Sequence, residues 1–245
     1  MKALLVRVGV DHAYGGWNAP VDPTTGQFLY VPIPEKTGTP FHRGLERKYE
    51  EVLPSLHEYC QRHDAGTSDL RWPEELLNCP MHLDPDFQHL TYGDDGGRRG
   101  AGMREMTRGD LLVFYAGLRP IIACQDKLVY ALVGLYIVEE VVHVDEVPEQ
   151  RWLENAHTRK SKRGKTDIVV RAQRGVSGRL ERCIPIGEWR SGAYRVRNDV
   201  LRAWGGLSVK DGFIQRSAVP PSFLDPERFY PWFKAHNIAL LDRNN

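Results

Sequence analysis

DLLVFYA at residues 110–116 and LVYALVGLYIVEEVVHV at residues 128–144 are dense in Val, Ile, Leu and aromatic side chains, which pack well on a pleated surface. The two runs predict a β-hairpin at the centre of the core. Upstream, Ala3–Val10 is apolar and rich in β-branched residues, and reads as a first strand. It ends in the loop Asp11–Gly16, where Gly15 and Gly16 permit turns that other residues resist. Gln27–Ile33 alternates as a second strand, placed at an edge because Pro32 and Pro34 cannot donate to a ladder.

Between these strands and the hairpin, Gly44–Val52 and Pro54–His63 read as a helix broken near Leu53. Leu56, Tyr59, Cys60 and His63 stand at helical spacing in its second part. Asp69–Gly102 is rich in Gly, Asp and Pro, a loop region able to carry a site, with one short extended piece around Met81–Leu83. Downstream, a short helix is predicted over Gln150–Ala156 and strands near Ile168–Ala172 and Leu180–Ile184. Asp225-Pro226-Glu227 has the form of an N-cap followed by proline, opening a helix to about Ala235 that docks through Phe229, Trp232 and Phe233. The pattern predicts an α+β fold with a mainly β core, a mixed or antiparallel sheet for which a PUA-like partial barrel is one form, with several short peripheral helices. A single domain is expected over 1–245, with a basic loop or hairpin around 157–182.

Composition narrows the functional classes. The hydrophobic fraction is 41% and the charged fraction 27%, which excludes a wholly disordered chain. No apolar run reaches the length of a membrane span, and the opening MKALLVRVGV is interrupted by Arg7 and lacks a small-residue cleavage site. Cys60, Cys79, Cys124 and Cys183 are scattered without a C-x-x-C, so free thiols and a cytoplasmic location are the expectation. The net charge of +1 conceals an asymmetry: residues 151–202 hold 14 Lys and Arg against 5 Asp and Glu, leaving 19 against 27 elsewhere. A polyanionic partner is expected for the basic part.

Three constellations are candidates for chemistry. In RVGVD at residues 7–11, alternation places Arg7 and Asp11 on one side, either as a pocket wall with an anion clamp and a base, or as an ion pair beside a capped turn. In HLDPD at residues 82–86, His82, Asp84 and Asp86 fall at alternate positions, suited to proton transfer or a metal, whereas Asp84-Pro85 equally suits a turn. In HTRKSKRGK at residues 157–165, Arg159, Lys160, Lys162, Arg163 and Lys165 are candidate phosphate contacts or a solvated tip. Trp189, Tyr194 and Trp204 follow, as stacking platforms or core. Glu139, Glu140 and His143 read as a solvent-facing strand end. GGRRGAG at residues 96–102 fits no phosphate-loop pattern.

Taken in order, Arg7, Gly9 and Asp11, the glycines 15 and 16, Pro20, PIP at 32–34, HLDPD at 82–86 and GDLLVF at 109–114 resemble the third class of nucleotide-modification-associated domains. The resemblance spans roughly the first 145 residues. Where such relatives carry small hydroxyl residues after the first aspartate, this chain has His12 and Ala13. The family is implicated in systems that make or handle modified bases. The resemblance implies an enzyme of nucleic-acid or nucleotide base modification, with DNA, RNA or a nucleotide as partner.

In that reading Asp11, His82, Asp84 and Asp86 meet in one cleft as catalytic groups, one aspartate moving a proton or holding a divalent metal. Arg7, His12 and Tyr14 bind substrate, and the basic segment holds a polynucleotide backbone. The alternative is a non-catalytic reader, since the strands at 109–116 and 131–141 resemble the small β-barrels of the PUA, ASCH and EVE type. In a reader the carboxylates are structural and an apolar cage holds an extruded base.

Overall fold

The two apolar runs pair as the central hairpin in a computed structural model that describes residues 1–63, 70, 72–97, 100–216 and 219–245. In chain order the strands are β1 (Ala3–Arg7), β2 (Pro20–Val21), β3 (Ile33–Pro34), β4 (Met81–His82), β5 (Thr91–Asp94), β6 (Leu111–Pro120), β7 (Val129–His143), β8 (Ile168–Ala172), β9 (Gly178–Pro185), β10 (Gly187–Arg190), β11 (Ala193–Val196) and β12 (Leu240–Leu241). The α-helices are α1 (Leu53–Arg62), α2 (Glu74–Leu77), α3 (Ala101–Arg104), α4 (Ala156–Arg159), α5 (Asn198–Ala203) and α6 (Pro226–Ala235).

An eight-stranded sheet runs in the order β1-β6-β7-β8-β5, with β2 also on β6, β9 on β7 and β12 on β9. It is mixed, because β1 lies parallel to β6 while β6, β7, β8 and β5 pair antiparallel in succession. It is not a closed barrel. β8 and β9 take successive halves of the same edge of β7, β9 facing Ala131–Leu135 and β8 facing Val138–His143. That arrangement satisfies the backbone of a fifteen-residue strand along most of its length.

Alternation along β6 and β7 feeds two cores. Leu112, Phe114 and Tyr136 enter one, where the Phe114 and Tyr136 rings meet edge to face at 4.8 Å. Leu111, Val113, Tyr115 and Leu132 enter the other, which α5 and α6 cover with Trp204, Phe229 and Phe233. Asp225 caps α6 through its side chain on the Arg228 amide at 3.1 Å, with Pro226 in the first turn. Tyr194 and Trp204 are therefore interior residues, whereas Trp189 is 52% exposed. No helix among the described residues is long and apolar enough to cross a membrane.

Three local expectations are corrected. Residues 27–33 do not form one strand: the Asp22 amide donates to Gln27, Leu29 donates to Pro20, Val10 donates to Val31, and only Ile33–Pro34 pairs as β3. Residues 28–32 are all buried there, against several partners rather than along one ladder. Residues 44–52 form only a 3-10 turn at Tyr49–Glu51 before α1 begins at Leu53. The loop region holds a true sheet strand, β5, masked in sequence by its own Gly93 and Asp94. Residues 69, 71, 98 and 99, the last two within GGRRGAG, lie outside the described residues.

Trp204 is fully buried and packs against Phe223, Phe229 and Trp232. Replacing it by alanine is expected to lower unfolding free energy by about 3–5 kcal/mol, read from the urea midpoint at unchanged slope.

Candidate functional site

A cleft of about 940 Å³ opens beside the C-terminal end of β1, lined among others by Arg7, Asp11, Tyr14, Tyr92, Lys160 and Arg216. At its polar floor lie His82, Asp84 and His157, each offering a ligand atom within 4.8 Å of the others. His82 ends β4, which is paired to β3 through Ile33 opposite His82. Asp84 follows in the next bend. His157 stands in the first turn of α4, more than seventy positions further along the chain.

Each of the three side chains is held from behind. Glu35, just after β3, meets His82 Nδ1 at 2.7 Å and Lys160 Nζ at 3.1 Å. Burial alone would raise Glu35, but the His82 hydrogen bond and the Lys160 charge hold it down at about 2. Burial pushes the His82 imidazole down to about 4, outweighing the pull of Glu35, so the ring is neutral near pH 7. An ionised carboxylate only accepts, so Nδ1 carries the His82 proton and Nε2 presents a lone pair, 3.9 Å from Asp84 Oδ2. Asp167 faces His157 Nδ1 at 3.5 Å and is held below the usual carboxylate range chiefly by that contact. The His82 and His157 rings sit edge to face at 5.1 Å.

Asp84 Oδ1 accepts from the Gly93 amide at 2.8 Å and from Asn155 Nδ2 at 2.9 Å. Burial nevertheless pushes its carboxyl up to about 7, against the influence of His157 and these donors. Asn155 also caps α4, its Oδ1 accepting from the His157 amide at 2.9 Å. The contact between β5 and α4 requires glycine at position 93: a Cβ there would stand 2.4 Å from both Asn155 Oδ1 and His157 Cδ2. Chemically, two imidazoles, that of His82 neutral, and a carboxyl poised near neutrality suit either proton transfer or cation binding.

At the cleft wall, Arg7 and Asp11 form an ion pair beside a capped turn. Arg7 Nη2 pairs with Asp11 Oδ2 at 2.5 Å and Nη1 donates to the Gln215 carbonyl at 2.5 Å. Asp11 Oδ1 caps the Ala13 and Tyr14 amides at 2.7 and 2.9 Å. Strand alternation is not the cause: β1 ends at Arg7 and the chain turns at Gly9, with φ of +80°. Tyr14 lines the cleft and is 58% exposed, whereas His12 is exposed outside the lining.

Asp86 and both arginines of the basic run are turned elsewhere. Asp86 is fully buried and does not reach the cleft. Its Oδ2 pairs with Arg159 Nη2 at 2.5 Å and His89 Nδ1 at 3.0 Å, and its Oδ1 caps the Gln88 and His89 amides. Arg159, 1% exposed, is correspondingly an interior cation rather than a surface phosphate contact. The burial cost of each charge is offset by the other together with these amides and His89 on Asp86 and the Leu153 carbonyl on Arg159. Arg163 lies over Trp152 and donates to the Val144 and Thr158 carbonyls, while Lys162 and Lys165 are exposed and Lys160 enters the cleft. Glu139 and Glu140 pair with Arg108 and Arg171 at the strand end.

Sequence reading missed His157, Glu35, Asn155 and Asp167. His157 was visible only as the first residue of a basic run, although Asn155 two positions earlier is a good N-cap type. Glu35 and Asp167 carried no local signal.

Two substitutions check this geometry. Gly93→Ala is expected to destabilise the chain by about 1–3 kcal/mol in urea unfolding and to shift the His157 imidazole resonances, because β5 must move off Asn155. Arg159→Ala is expected to cost about 3–5 kcal/mol by stranding Asp86, whereas Lys162→Ala stays within about 0.5 kcal/mol.

No curated protein and no solved structure matches the chain. Residues 2–213 match the family described as nucleotide modification associated domain 3, well beyond the 145 residues of the sequence-level resemblance, and the chain belongs to that family.

Proposed function

We propose that the chain is an enzyme of nucleotide or nucleic-acid base modification, working in the cleft floored by His82, Asp84 and His157. The observation that carries this reading is the convergence of two imidazoles and a carboxyl, each braced by a further polar group, on an open cleft of about 940 Å³. Buried ionisable groups oppose folding unless they are compensated, and clusters of them in clefts mark sites of chemistry. A cleft of that volume accommodates a nucleotide unit. A reader of bases needs an apolar cage and a few hydrogen bonds, and no cluster of this kind.

The surroundings support further roles in this reading. Tyr14, exposed at the wall, offers a face on which a base stacks. Arg216 and Lys160 offer charge to a phosphate, and Arg7, tied to Asp11, shapes the wall. Asp11 acts through that pair and the loop it caps. In a polynucleotide substrate, Lys162 and Lys165 lie next along the chain from Lys160 and would contact backbone phosphates. Scattered free thiols suit a reducing, cytoplasmic setting for such an enzyme.

The test is incubation of the purified chain with plain and base-modified DNA, RNA and nucleotides, followed by mass analysis of the recovered bases. A mass change that is lost in Asp84→Asn is expected. Tyr14→Ala is expected to weaken substrate binding by about 1–3 kcal/mol, raising KM with kcat little changed. Selective binding of modified nucleic acid with no mass change, unaffected by Asp84→Asn, would make the chain a reader instead.

A further inference from the structure

We infer that His82, Asp84 and His157 form a mononuclear centre for a divalent first-row transition ion, with coordination positions open to the cleft. The argument begins with lone pairs. His82 Nδ1 faces Glu35 and His157 Nδ1 faces Asp167, so both rings present Nε2 as an acceptor on the cleft side. Asp84 Oδ1 is engaged by Gly93 and Asn155, and Oδ2, which shares the Gly93 amide at 3.0 Å, keeps a second lone pair and lies 3.9 Å from His82 Nε2. Three acceptors therefore converge. A shared proton joins two of them, whereas a cation satisfies all three.

The donor set and its bracing fit a metal. Two imidazole nitrogens and one carboxylate oxygen are a ligand set for Fe(II), Co(II), Mn(II) or Zn(II), and three protein ligands leave room for water or substrate. The ligand atoms lie within 4.8 Å of one another, and bonds of about 2.0–2.2 Å need separations of about 3–3.5 Å. Side-chain rotation of about an ångström closes that difference.

Carboxylates behind metal-binding histidines set the tautomer and raise ligand basicity, which is the arrangement of Glu35 and Asp167. Asn155 couples two ligands, holding Asp84 with its amide nitrogen and the His157 amide with its oxygen. Among the described residues, this is the group of His, Cys, Asp and Glu with metal-binding spacing.

This centre deepens the enzyme reading and rests on it for the use of the open positions, but ion binding is measurable without a substrate. The chelator-stripped chain would be titrated with Co(II), followed by visible absorption, and with Zn(II), Mn(II) and anaerobic Fe(II), followed by metal analysis after desalting. One equivalent per chain is expected, with a rise in melting temperature. His157→Ala and Asp84→Asn should each weaken binding at least about 100-fold, Glu35→Gln about 10–100-fold, and His57→Ala, on the exposed face of α1, not at all.

Asp84→Asn keeps the side-chain shape and its Oδ1 acceptor, and circular dichroism of each stripped variant separates lost binding from lost folding. Absence of stoichiometric binding by the wild-type chain overturns the centre, as does undiminished binding in folded His157→Ala or Asp84→Asn. Base modification that survives complete removal of metal also overturns it while leaving the enzyme reading intact. Stoichiometric binding lost in these variants, with no mass change in any nucleic acid, upholds the centre and overturns base modification.

Discussion

The backbone of β7 is the constraint from which the rest is arranged. Its apolar half is buried on both faces, so its amides and carbonyls need partners within the protein along both edges. β6 serves one edge, and β9 and β8 share the other. The link from β7 back to β8 must leave the sheet and return, and it is this excursion, residues 144–167, that carries Asn155, His157 and Asp167. β5 adds to the outer edge of β8, with Gly93 opposite Val169, which brings the Gly93 amide beside α4. Satisfying one strand thus places most of the site's supporting groups on one flank of the sheet.

Within that flank, Asn155 holds the site together more than any charged residue does. A neutral amide has a donor and an acceptor at fixed separation, so one side chain can bind a carboxylate and cap a helix simultaneously. Asn155 does both, and its amide nitrogen also reaches Thr91 Oγ1 at 3.3 Å. An aspartate there would face Asp84 as a second acceptor, and a leucine would leave the buried Asp84 oxygen with fewer donors.

Much of the fold was legible because it rests on local pattern. The hairpin follows from two dense apolar runs, and α6 from an aspartate before a proline. His82 and Asp84 were legible as a cluster because they are near neighbours in one bend. Asp86 obeyed the same spacing, yet its oxygens turned inward to Arg159 and His89, a choice made by residues distant in sequence. Glu35 and His157 complete the site only through the pairing of β3 with β4 and the packing of α4 on β5, and spacing along the chain carries no trace of either. The apparent strand at 27–33 failed for the reverse reason, since residues 28–32 are all buried by several partners without a ladder.

The basic run shows why charge along a chain differs from charge in space. Arginine, with its planar fork and weaker hydration, enters the interior when acceptors are arranged for it, as Asp86 and the Leu153 carbonyl are for Arg159. Lysine, compact and strongly hydrated, stays outside unless a carboxylate draws it in, as Glu35 draws Lys160. Of the five cations, the arginines consolidate the fold around α4 while the lysines remain at the surface or the cleft. The same short segment therefore braces His157 from within and presents positive charge outside, which ties a proposed phosphate contact mechanically to the floor of the cleft.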